Sequence, residues 1–125
     1  MARKKYRLGD LQLEIMKILW GRAASVSDVH AALGEHRLAY TTVATMLRKM
    51  ETRGLVKHRT SGRRFIYRAT VPEEAVTRSM TDDVLDRVFE GNLADMVSHL
   101  LTTREVSREE LSELERLIAR RKKRP

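Results

Sequence analysis

The chain has 125 residues, 42% of them hydrophobic and 5% aromatic, with a net charge of +8 and no cysteine. That length suits one domain, or one and a half small ones. The missing cysteine excludes disulfides, thiol catalysis and cysteine metal sites. No run of 18 apolar residues is present, so no membrane-spanning helix is expected, and the basic start MARKKYR is followed by no apolar signal core. A cytoplasmic protein is the expectation.

Residues 9–20, GDLQLEIMKILW, place Leu11, Ile15, Ile18 and Leu19 at helical spacing, with Met16 and Trp20 beside them. Asp10 fits the cap or first turn of this core helix, and Gly21 a stop. In Ser25-Val26-Ser27-Asp28, Ser27 is the expected N-cap of a short helix over 28–33, which ends at Gly34 and packs Val29, Ala32 and Leu33. Val26 could add a short strand.

Residues 39–55, AYTTVATMLRKMETRGL, are the most informative stretch. At 100° per residue, Val43, Leu47 and Met50 share one side, with Met46 at its edge. Thr41, Thr45, Arg48 and Thr52 take the other, flanked by Thr42 and Lys49. Short hydroxyls mixed with bases suit a surface lying against DNA. Threonine meets phosphates, base edges or thymine methyls, and Arg and Lys meet phosphates or guanine. A solvated amphipathic helix is the plainer reading. Gly54 is the expected left-handed stop.

The period then changes. Val56, His58 and Thr60 alternate with Lys57 and Arg59; after Ser61-Gly62-Arg63-Arg64, Phe65 and Tyr67 alternate with Ile66 and Arg68. This predicts a β-hairpin with bases around its turn. Helix, short helix, polar-faced helix and basic hairpin are the order of a winged helix-turn-helix. Its third helix would enter the major groove, and its wing would touch the neighbouring backbone or minor groove.

Pro72 with Glu73 and Glu74 predicts a helix start, and the rest of the chain reads as helix. Residues 73–90 carry Val76, Met80, Val84, Val88 and Phe89 on a stripe, and Gly91-Asn92 break it. Residues 93–102 carry Leu93, Met96, Val97, Leu100 and Leu101. A Ser107–Glu110 capping box opens a last helix with Leu111, Leu114, Leu117 and Ile118, which ends in a basic run from Arg120 to Arg124. That run complements the helix dipole or adds a DNA contact. So much amphipathic helix needs a covering partner. A second copy is the expected one, through Val84, Val88, Leu93, Val97, Leu100, Leu111, Leu114 and Ile118.

Charge divides the same way. Residues 1–70 hold 15 Lys/Arg and 5 Asp/Glu, a balance of +10; residues 71–125 hold 10 and 12, a balance of −2. A polyanion-binding half thus adjoins a half with another task. The fold class expected is mainly α with a small β-hairpin wing: a winged helix-turn-helix domain over 1–71, followed by a three-helix dimerisation tail over 72–125. Enzyme signatures are missing. His30, His36, His58 and His99 show no metal spacing, and there is no phosphate loop or nucleophile elbow. No cofactor and no metal is expected.

The chain resembles the penicillinase-repressor family, the BlaI/MecI-type winged-helix repressors. The resemblance rests on Leu8-Gly9-Asp10-Leu11 through Ile15-Met16 to Trp20, on Tyr40-Thr41-Thr42-Val43 with Thr45-Met46-Leu47, on Gly54-Leu55-Val56, and on Gly62-Arg63-Arg64-Phe65 with Tyr67. It implies a homodimeric repressor on a palindromic operator that switches off resistance or stress genes. In the best-known members a membrane sensor protease cuts an Asn-Phe bond in the tail; the corresponding bond here is His99-Leu100, which differs at both residues. The copper-responsive branch carries a cysteine-rich motif that this chain lacks.

The expected DNA-binding set is Tyr40, Thr41, Thr42, Thr45, Arg48 and Lys49 with Arg63 and Arg64 of the wing; Arg3, Lys4, Lys5 and Arg7 would add nonspecific charge. Two other readings fit the same residues. One is a winged-helix regulator released by a small ligand, and the other a nonspecific architectural or RNA-binding protein.

Overall fold

A computed structural model describes residues 4–125. Helix α1 spans Asp10–Gly21. It starts without a hydroxyl cap: the Gln12 side chain turns back to accept from the Gly9 N–H at 3.2 Å, and Asp10 sits in the first turn. Gly21 is the last helical residue rather than the stop, which falls at extended Arg22.

Strand β1, Ala24–Ser25, leads directly into α2, Val26–Leu33. The helix therefore begins two residues before the expected 28–33, with Ser25 and not Ser27 as its cap. Ser25 Oγ accepts from the Asp28 N–H at 3.1 Å, and the Asp28 carboxylate accepts from the Ser25 N–H at 3.2 Å. The cause is the sheet. Ser25 pairs with Ile66 in extended conformation, which is the backbone an N-cap requires. Val26, considered for a strand, is instead the first residue of α2.

Helix α3 spans Tyr40–Thr52. Its end is a Schellman turn: Gly54 has φ +79, its N–H reaches Glu51 O, and the Leu55 N–H reaches Met50 O, both at 3.0 Å. Strands β2, Val56–Ser61, and β3, Arg64–Ala69, pair antiparallel from Val56↔Ala69 to Ser61↔Arg64. The loop is thus only Gly62-Arg63. Gly62 holds φ +62, as the first position of a Gly-first hairpin turn demands. Strand β1 joins the far side of β3, giving the order β1-β3-β2. It reaches only Tyr67 and Ile66, so the hairpin beyond them is a two-stranded ribbon.

Helices α4, Glu73–Phe89, α5, Leu93–Thr103, and α6, Arg108–Lys122, complete the chain. Asn92 and Ser107 cap α5 and α6 through the N–H groups of Asp95 and Glu110.

The chain divides into two compact units, the first ending at Asp82 and the second running Asp83–Pro125. Pro72 marks where α4 begins, but the division falls later, inside that helix. The core of the first unit gathers Ile15, Met16 and Leu19 of α1, Val29 of α2, Val43, Leu47 and Met50 of α3, then Val56, Tyr67, Val71 and Val76. Long-range bonds help to close it. Trp20 Nε1 donates to Val71 O at 2.8 Å, and the Tyr6 N–H donates to Ser79 Oγ of α4 at 2.8 Å.

The second unit has no buried side chain among its residues. Val84, Val88, Leu93, Val97, Leu100, Leu101, Leu111, Leu117 and Ile118 are exposed, and Leu114 is half-buried. The stripe expected along 73–90 is divided accordingly: Val76 is buried, while Val88 is 62% exposed.

Candidate nucleic-acid interface

The burial of α3 follows its sequence period. Val43, Leu47 and Met50 are fully buried, and Tyr40, Thr41, Thr42, Thr45, Arg48, Lys49 and Thr52 are exposed. Three apolar residues at this spacing pin the helix to the core and fix its rotation, so the hydroxyls and bases can only face outward. On that face the Arg48 guanidinium donates to Thr45 Oγ at 3.4 Å, and Thr52 Oγ donates to Arg48 O at 3.1 Å.

Both ends of α3 are tied down. At the start, the Tyr40 ring meets the His30 ring edge-on at 5.8 Å, and His30 Nε2 donates to Leu38 O at 2.8 Å. Upstream in the same turn, Arg37 makes two bonds to the Glu14 carboxylate, at 2.6 and 2.8 Å. This contact holds the Glu14 carboxyl below its usual range. At the end, Arg53 donates to Gln12 Oε1 at 2.9 Å and to Arg7 O at 3.0 Å.

Between α3 and the hairpin lies an open cleft of about 310 Å³. Tyr40, Ala44 and Arg48 line it from α3, Arg63, Arg64 and Phe65 from the hairpin, and Ser25, Val26 and Ser27 from the start of α2. Tyr67 lies at its inner side; burial, and next the Glu51 carboxylate, push that phenol's pKa up. Three guanidiniums therefore share one cleft with the first turn of a helix. This arrangement attracts anions, since helix N–H groups and guanidiniums both favour negative charge.

The cleft brings together Tyr40, Arg48, Arg63 and Arg64 of the expected set. Thr41, Thr42, Thr45 and Lys49 lie outside it, exposed along α3. Arg3 lies outside the described residues. Lys4 stands over the Tyr6 ring at 5.6 Å, Lys5 is exposed, and the Arg7 carbonyl is taken by Arg53. The Ser25–Ser27 edge of the cleft was missed from sequence, because only the pairing of β1 with β3 brings it beside the hairpin. In the second unit, His99 and Leu100 are exposed within α5, where the backbone is helical. Among the described residues no cluster of His, Asp or Glu could hold a metal ion, and no helix is long and apolar enough to cross a membrane.

Residues 8–120 match the family model described as penicillinase repressor. The chain belongs to the penicillinase repressor family. The family is one of DNA-binding transcriptional regulators, not of enzymes. The penicillinase repressor of Bacillus licheniformis is 28% identical over 120 residues, which span 94% of each chain. The transcriptional regulator BlaI of Mycobacterium tuberculosis is 46% identical over 56 residues, which span 42% of this chain and 41% of that one. The solution structure of the DNA-binding domain of the repressor BlaI matches with a TM-score of 0.51 at 26% identity, covering 59% of this chain and 93% of that domain. A structure of Lactococcus lactis ZitR, 14% identical with a TM-score of 0.50, covers 95% of this chain and 76% of its own and shares the fold. The family member described above is thus mainly helical, with a small antiparallel sheet in the winged helix-turn-helix arrangement.

Proposed function

We propose that the chain is a sequence-specific transcriptional repressor acting in the cytoplasm as a homodimer on a palindromic operator, and that it controls β-lactam resistance or stress genes. The observation that carries the reading is the split of α3: its three apolar residues are fully buried, while its threonines and bases are exposed beside a cleft of three arginines. Thr41, Thr42, Thr45, Arg48 and Lys49 read the major groove with Tyr40 at the helix entrance, and Arg63 and Arg64 hold the backbone. Each protomer reads one half-site, and repression is occlusion of a promoter.

The homodimer reading rests on the second unit. Val84, Val88, Leu93, Val97, Leu100, Leu111 and Ile118 are exposed apolar side chains on consecutive helices, and half-buried Leu114 lies on the last of these helices. A second copy removes this surface from water in two-fold symmetry, which matches the symmetry of an inverted repeat. If a membrane sensor protease ends repression by cutting His99-Leu100, α5 must first unwind there, because a protease takes its substrate extended.

Selection of duplexes from a random library by the full chain tests the reading. Recovery of an inverted repeat supports it, and recovery of no preferred sequence makes the protein an architectural binder. Light scattering of Leu114→Asp tests the dimer: a monomer is expected, and a variant that remains dimeric removes the last helix from the interface. Fragments ending at His99 in β-lactam-treated cells would establish the cut. Operator release by a small molecule that also raises the melting temperature would favour a ligand sensor.

A further inference from the structure

Between Tyr40 and Ala69 the chain carries a single acidic side chain, Glu51. A carboxylate in a segment that offers Arg48, Lys49, Arg63 and Arg64 to a polyanion repels the ligand, so its presence needs an offsetting role. Glu51 lies in the last turn of α3 and turns toward the wing. Its two oxygens stand 2.7 and 3.0 Å from His58 Nδ1 of β2, and one also accepts from the His58 backbone N–H at 3.4 Å. A nitrogen this close to a carboxylate carries its hydrogen and donates.

The ring of His58 is held on its other sides as well. It stacks on Phe65 of β3, with centroids 4.1 Å apart and planes at 21°, and leans on buried Tyr67 at 5.4 Å. The side chains of Glu51 and His58 are only 30% and 29% exposed, so solvent screens the pair less than an open surface pair. Position matters too. His58 is paired with Tyr67, one of the two β3 residues that β1 supports. Past Ile66 the hairpin is a two-stranded ribbon, marginal on its own. His58 thus stands at the root of the ribbon, and its stacking on Phe65 reaches beyond β1's support.

We propose that Glu51 and His58 are positioning residues. They clamp the wing to the recognition helix, so that Arg63 and Arg64 meet the backbone in the register that α3 sets in the groove. This rests on the DNA-binding reading above. Neither side chain touches DNA in this scheme; each acts through the angle of the hairpin.

The test uses the full chain, a duplex selected by the wild type from a random library, and a random duplex of equal length. Glu51→Ala removes a negative charge, so charge alone predicts tighter binding to both. The clamp predicts the opposite sign on the selected duplex, a loss of about tenfold, as expected of a charge-assisted hydrogen bond, with the random duplex unchanged or tighter. Glu51→Gln keeps an acceptor for Nδ1 and recovers most of the loss. His58→Ala weakens binding as Glu51→Ala does, and the double variant is no worse than either single one.

A second measurement needs no DNA. Amide relaxation in the free protein should show lower order parameters at Gly62 and Arg63 in Glu51→Ala, with Thr41 to Lys49 unchanged. Tighter binding of both duplexes by Glu51→Ala, additive losses in the double variant, or unchanged order at Gly62 and Arg63 would each overturn the proposal. A wild type that selects no duplex would sink the DNA reading instead, and the relaxation measurement would still judge the clamp.

Discussion

Leu47→Ala and Arg48→Ala are adjacent substitutions on one helix, and they should fail in opposite ways. Leu47 is fully buried in the core of the first unit. Truncation removes three carbons, worth about 2.4 kcal/mol at ~0.8 kcal/mol each. The cavity left behind raises the loss into the range of roughly 2–5 kcal/mol, and the better helix propensity of Ala returns only a few tenths. A loss of ~3 kcal/mol in a unit of this size lowers the melting temperature by about 12–24 °C. Arg48 is exposed, and among the described residues its guanidinium makes one side-chain bond, the 3.4 Å contact to Thr45. Arg48→Ala should change stability by no more than ~0.5 kcal/mol, yet weaken a selected duplex by ~1–3 kcal/mol if it reads a guanine. Urea denaturation followed by circular dichroism at fixed protein concentration, paired with fluorescence anisotropy on the duplex, measures both. A wild-type urea midpoint for Leu47→Ala, or more than ~1 kcal/mol lost by Arg48→Ala, would refute the assignment of the two faces. An equal loss on random DNA would make Arg48 a phosphate contact.

Other perturbations address other parts of the molecule. Arg63→Ala with Arg64→Ala should weaken all sequences alike and flatten the salt dependence of binding by about two phosphate contacts; an unchanged slope removes the wing from the interface. Trp20→Phe leaves Val71 O without its indole donor and should cost ~1–3 kcal/mol of stability, with a loss below ~0.5 kcal/mol showing that the bond contributes nothing. The Asp28 carboxyl is held below its usual range by the Ser25 N–H and then by the Ser25 hydroxyl. A depressed carboxylate contributes stability that is present above its unfolded pKa of about 3.9 and lost as pH falls through the lower folded value. The stability gap between wild type and Asp28→Asn should therefore close in that acidic window; a gap that stays constant through it would contradict the assignment.

What could be read from the sequence was what repeats locally. The faces of α3 follow from a 3.6-residue period over more than three turns, and the hairpin from a period of two around Ser61-Gly62. The start of α2 could not be settled that way. Ser25 and Ser27 are both competent caps, and the choice depends on Ser25 pairing with Ile66, distant in sequence. The Glu51–His58 contact was hidden for a similar reason. His58 showed as one member of an alternating strand, and only the turn through Gly54 brings that strand back toward α3. Along α4 the stripe of apolar residues was visible, but periodicity alone does not say that Val76 is buried while Val88 is exposed.

Helix α4 belongs to both units, and this bears on where the chain can be divided. A fragment ending at Val71, where the sequence changes character, would leave the core without Val76 and the Tyr6 amide without Ser79. A fragment ending after Asp82 would keep both. The turns of α4 that complete the first unit lie upstream of any cut in α5, so a severed chain would retain an intact reading head. If the chain works as the homodimer proposed above, shutting it off by proteolysis would then have to act through the lost pairing of two heads, leaving each one folded and able to bind DNA weakly alone.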